Sequence, residues 1–143
     1  MKAIVLLQLF SCCFMTGIIW LVQILVYPNF RLHQHPDTFI DFHRFHTTRI
    51  TWIVAPAMGV ELLSGAWLFG AQPCATYFLN FISICILWVL TALVNVPIHR
   101  HLEKNPKAVK NVLVWSNWPR TIVWTMRSAF WFWLLLDPGL GVL

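Results

Sequence analysis

The groups through which this chain can do chemistry are a few histidines and two charges set inside apolar runs. His43 and His46 stand three residues apart in FHRFHTTR, His99 closes an apolar run in NVPIHRHL, and Glu61 and Arg127 interrupt otherwise apolar stretches. An ionisable side chain at bilayer depth is costly, so Glu61 and Arg127 each require a partner or a task. Histidines three apart on a helix share a face, which is how a helix offers ligands to a metal ion. A third ligand, His99, comes from elsewhere in the chain, with Asn, Glu or water completing the set. The expectation is therefore a transition-metal or haem site held by His43, His46 and His99. The same imidazoles also suit proton transfer at neutral pH, and Asn95, Asn117 and Arg120 are donors suited to a developing phenolate or enolate. The expected catalytic set is His99, Asn95, Asn117, Arg120, Glu61 and Arg127.

These residues are positioned by membrane helices. The chain has 143 residues, 59% of them hydrophobic and only 10% charged, which sets it apart from soluble domains and marks one integral membrane domain over residues 1–143. The net charge of +5 does not point to nucleic acid, because the Lys and Arg residues cluster in short segments between apolar runs. The expected fold is all-α: a polytopic membrane four-helix bundle with spans at about 3–27, 49–69, 75–99 and 118–136. The N-terminal run resembles a signal peptide at its start but continues to Val26, and is read as a retained span.

Short amphipathic helices at the interface are expected in the first and third loops. From Pro36 onward, Phe39, Ile40, Phe42 and Phe45 give one apolar side, so this segment lies in the interface or runs on into the second span. Val109, Val112, Leu113 and Trp115 suggest a second such helix. Pro56 is expected to kink the second span, and Trp118-Pro119 to begin the fourth. Loops one and three carry nearly all the Lys and Arg, which puts them in the cytoplasm of a bacterial inner membrane protein with both termini outside. Cys12, Cys13, Cys74 and Cys85 follow no zinc-site spacing and read as small apolar residues; Cys74 is open to oxidation if it faces the periplasm.

Depth along each span divides the polar groups in two. At about 1.5 Å per residue, Glu61 lies roughly 18 Å from Arg49 and Arg127 roughly 13 Å from Trp118, so the two charges can meet near the midplane as an ion pair. His43 and Glu61 stand roughly 27 Å apart on a continuous helix and cannot serve one ion. The histidines gather instead at the cytoplasmic boundary with Asn95, Gln23, Tyr27, Asn117 and Arg120. In the first span Gln8, Cys12, Thr16, Gln23 and Tyr27 recur as a polar stripe, as expected for hydrogen bonds between helices. His101 falls on a different helical face from His99, and His33 and His35 fall in a loop.

TALVNVPIHRHL (91–102) and WSNWPRTIVWTMRS (115–128) together resemble the anthrone oxygenase-like family of small four-span membrane proteins, through Asn95, Pro97, Asn117, Arg120 and Thr121. His99 departs from that pattern, standing where a second Asn is expected. The resemblance implies an oxidoreductase or oxygenase acting on an apolar aromatic or quinone-like small molecule. Two other functions compete with it. One is a non-catalytic accessory subunit of a larger membrane complex or a homo-oligomer. The other is a small transporter with Glu61 and Arg127 on its path.

Overall fold

The computed structural model describes residues 1–30, 32, 35–105 and 111–136. Among these residues the chain is helical throughout, without a strand, and forms four long helices: α1 (Lys2–Asn29), α2 (Pro36–Ala71), α3 (Ala75–Lys104) and α4 (Asn111–Leu136). Helices α1, α2 and α3 are long and apolar enough to cross a membrane. Helix α4 is long enough but, with Arg120 and Arg127 in it, does not reach the same apolar character over a span's length.

The two interfacial helices do not form as separate elements. Pro36 opens α2 with Asp37 in its first turn, both favourable at a helix start, and no glycine or proline follows until Pro56. The amphipathic segment is thus the beginning of α2, and the helix runs on through Pro56. Val112, Leu113 and Trp115 likewise belong to α4, which places Pro119 inside that helix instead of at its start. Val109 and His33 lie outside the described residues.

Helices α1 and α3 share a feature. Each contains a five-residue π-helical turn, Val22–Val26 in α1 and Thr91–Asn95 in α3, and each turn is followed two residues later by a proline, Pro28 and Pro97. A proline ring clashes with the carbonyl four residues earlier and donates no hydrogen bond to it. Those carbonyls belong to Ile24 and Leu93, inside the wide turns, where the looser ladder accommodates the ring. The helix therefore survives both prolines; α1 continues to Asn29.

Helix α1 packs against α2 and α4, and α3 packs against the same two. The polar stripe of α1 faces inward and bonds across these seams. The Gln8 amide oxygen accepts from the Ser64 hydroxyl, Thr16 lies 2.7 Å from Ser128, and Asn117 Nδ2 donates to Gln23 Oε1 at 2.8 Å. Around these bonds Met15, Ile19, Met58, Leu87, Trp124 and Trp131 fill the core. At the other end Phe30, fully buried, meets Phe39 and the His43 and His46 rings with centroids 5.5 to 5.8 Å apart, closing the histidine end with aromatic packing. The outer faces remain apolar, with Phe10, Trp52, Leu63 and Leu93 among the exposed side chains.

Candidate functional site

Two hydrogen-bonded runs meet at the histidine end and together involve all four helices. Gln23 on α1 accepts from Asn117 on α4, and the Asn117 carboxamide oxygen accepts from Arg120 Nε at 3.1 Å. Arg120 also donates to Thr91 Oγ1 on α3 at 3.2 Å and interacts with the Tyr27 hydroxyl on α1. Tyr27 Oη lies 3.1 Å from His99 Nε2, and His99 Nδ1 lies 2.9 Å from His43 Nε2 on α2. A hydrogen bond between two ring nitrogens makes one the donor and the other the acceptor. The Tyr27–His99–His43 chain therefore has two consistent proton arrangements, one the reverse of the other. Passing from one to the other carries a proton from one end of the chain to the other. The positive Arg120 beside the Tyr27 hydroxyl favours the arrangement in which the tyrosine O–H points at His99.

The chain borders a cavity of about 370 Å³. That volume lies within the range of small-molecule sites. Its body is apolar, with Met15, Ile19, Ile50, Val54 and Met58 on the wall, and its polar end presents Tyr27, His43, His46, Asn95, His99 and Arg120, with Arg100 and Glu103 at the outer edge. Asn95 is the sharpest feature. Its side chain is 2% exposed, and neither its amide nitrogen nor its carbonyl oxygen has a hydrogen-bond partner among the described residues. Buried polar groups left unpaired cost about 1–3 kcal/mol each. Asn95 is the last residue of the α3 π turn, a type of distortion common at functional sites. His43 Nδ1 is a second buried, unpartnered atom on the same wall.

Arg120 has an unusual setting. Its guanidinium is buried and packs over the Trp124 ring at 5.9 Å, and no carboxylate lies within ion-pair distance of it among the described residues. All the partners found for it are neutral: Asn117, Thr91 and Tyr27.

The deeper charges form a site of their own. Arg127 Nη1 donates to Glu61 Oε1 at 2.7 Å, Trp124 Nε1 donates to Glu61 Oε2 at 3.0 Å, and Asn80 Oδ1 accepts from both Arg127 Nη2 and Trp131 Nε1 at 3.2 Å. Every member of this cluster is buried. Glu61 and Arg127 do not reach the cavity. Trp124 stands between, lining the cavity with its ring while its indole N–H is held by Glu61.

Of the expected site residues, the fold brings His43, His99, Asn95 and Arg120 to one cavity. Asn117 holds Arg120 from behind and is not on the wall. The three-histidine ligand set is not assembled. His43 and His99 turn a nitrogen each toward the other and His99 turns its second to Tyr27, while His46 lines the cavity without joining them. No group of three His, Cys, Asp or Glu arranged to hold a metal ion occurs among the described residues. All four cysteines are free, Cys74 exposed among them.

Two parts of the arrangement lay beyond sequence reasoning. Asn80 is one of a few polar residues in the largely apolar run ATYFLNFISIC, and only its placement opposite Arg127 and Trp131 gives it a role. Trp124 falls on the polar side of the fourth span with Arg120 and Arg127, but only the fold shows it fully buried between the two polar sites with its indole N–H on Glu61. No protein-family model, curated protein or solved structure matches this chain.

Proposed function

We propose that the chain is a four-span protein of a bacterial inner membrane, with its basic loops cytoplasmic and both termini outside, that acts as an oxidoreductase on an apolar aromatic or quinone-like small molecule. The observation that carries the reading is Asn95, a buried carboxamide with neither polar atom partnered among the described residues, at the polar end of a cavity whose body is apolar. A ligand hydroxyl at that point can accept from Nδ2 and donate to Oδ1, and an oxyanion there answers the Nδ2 donor. Beside it, the Tyr27–His99–His43 chain is built to accept and relay a proton, and Arg120 is placed to stabilise an oxyanion.

The resemblance to the anthrone oxygenase-like family adds the direction of the chemistry. The ring methylene of a phenolic tricycle, acidified by its neighbouring carbonyl, gives up a proton to the histidine chain while Arg120 and Asn95 hold the resulting enolate oxygen. Dioxygen is the oxidant: the methylene becomes a carbonyl and one molecule of water leaves, so all atoms balance. The site's part is proton transfer, oxyanion stabilisation and exclusion of bulk water.

The test is oxygen uptake and quinone absorbance with reconstituted protein and hydroxylated anthrones. Turnover is expected to fall about 10²-fold or more in His99→Ala, the usual worth of a positioned acid or base. Wild-type protein that leaves such substrates at the uncatalysed rate overturns the reading.

A further inference from the structure

The cavity wall is not closed all round. Helices α2 and α3 are pinned at both ends of their shared seam. At the histidine end the His43–His99 bond and the Arg44–Glu103 ion pair, at 2.9 Å, cross it. At the far end Gly65 lets α2 approach Ile84 and Asn80 closely, and Phe69 packs on Phe78 and Phe81 with centroids 5.6 and 6.1 Å away. Between these closures Thr51 and Ala55 of α2 and Trp88 and Val96 of α3 both line the cavity and are exposed on the outside. A residue does both where the wall opens, and Arg100 beside His99 does so too, so the opening runs from the apolar seam to its basic end. The surface flanking this opening is apolar, with Trp52 77% and Leu93 71% exposed. Such an opening faces hydrocarbon in a membrane-inserted chain, with Ala55 about 9 Å along α2 from Arg49.

Charge narrows what passes through. Arg120 is a guanidinium that cannot shed its proton, buried among neutral partners without a carboxylate. A buried cation is costly until an anion shares its space. The cavity leaves room for one beside Arg120, on the wall that also carries the unmet Asn95, since the carboxylate that lines it, Glu103, is paired with Arg44.

We propose that the α2–α3 seam is a lateral door through which a membrane-dissolved amphiphile enters, and that this ligand has a flat apolar body and one acidic oxygen head, carboxylate, phenolate or enolate, that becomes the counter-ion of Arg120. The inference rests on reading the cavity as the substrate site. The head lies against Arg120 and Asn95, and the apolar body fills the space walled by Ile50, Val54 and Met58.

The experiment uses the full chain in phosphatidylcholine nanodiscs, with 9-anthracenecarboxylate as probe and uncharged anthracene as comparison, each read by displacement kinetics and equilibrium binding. Leu93→Trp narrows the door from an exposed position that does not line the cavity, and Ile24→Trp places the same ring on the exposed face of α1 as a control. Leu93→Trp is expected to slow both entry and exit by about tenfold or more while leaving affinity within roughly threefold, since a door changes rates and not the bound state. Ile24→Trp should match wild type. Anthracene should bind about tenfold or more weaker than its carboxylate, the scale of a charge-assisted hydrogen bond. Unchanged rates in Leu93→Trp overturn the door, and equal binding of the two probes overturns the acidic head. If these tests fail while anthrone turnover persists, the catalytic reading stands without the door. If they succeed while no anthrone is turned over, the door stands and the catalytic reading falls.

Discussion

His43 Nε2 on α2 stands 2.9 Å from His99 Nδ1 on α3, so two imidazoles on different helices share one proton between them. Neither ring can be understood alone. Removing one leaves a buried nitrogen on the other without its partner, beside a His43 Nδ1 that is already unmet.

The pair should therefore behave as a unit. His43→Ala and His99→Ala are each expected to destabilise the protein, and the double variant to lose less than their sum, with a coupling of about 1 kcal/mol or more. Denaturant unfolding in micelles, followed across the four proteins of this cycle, measures it. Simple additivity would mean that the two rings do not share the bond.

Glu61 and Arg127 predict a larger effect. Taking one partner from a buried ion pair costs about 3–5 kcal/mol, whereas replacing both with apolar residues of similar volume is often neutral. Arg127→Met alone should lower the unfolding midpoint sharply, and Glu61→Leu with Arg127→Met should recover much of the loss. Glu61→Leu also frees the Trp124 indole, which should shift its fluorescence and weaken probe binding in the cavity it borders.

Asn95 should show the opposite balance of stability and function. Its carboxamide has no partner to lose among the described residues, so Asn95→Leu is expected to leave stability unchanged or raise it by about 1–2 kcal/mol, as removal of an unpaired buried polar group allows. Binding of 9-anthracenecarboxylate should fall at the same time. A variant that loses stability and keeps binding would show the amide to be structural.

Gly65 sets how closely α2 meets α3. A Cβ there would stand 2.5 Å from Ile84 Cδ1 and 3.3 Å from Asn80 Nδ2. Gly65→Ala is expected to cost about 1–2 kcal/mol, in the range of core overpacking. Ile84→Val deletes the clashing Cδ1, so the double variant should regain most of that loss in the same unfolding assay.

Some of this architecture was legible in the sequence. The rise of a helix places Glu61 and Arg127 at matching depth, and a charge in an apolar run demands a partner, so their pairing follows from one dimension of geometry. His43 and His99 are likewise brought together by lying at the same boundary. What cannot be read is how a side chain turns once it is there. His46 shares a helical face with His43 yet meets the cavity alone, because Tyr27 and His43 occupy both nitrogens of His99. Pro28 read as the end of a span, but the wide turn before it lets the helix continue. Proline marks that position, while the extra residue that accommodates it leaves no trace of its own.

Those wide turns bear on how such a site can be altered. A single inserted residue normally rotates everything beyond it on a helix by about 100° and so scrambles one face of the packing. In α1 and α3 the extra residue is stored locally, in Val22–Val26 and Thr91–Asn95, between the packed core on one side and Tyr27 and His99 on the other. Each turn thus works as an angular joint. The ligand-facing end can be re-aimed by changing the joint, and the helical core below it need not be rebuilt.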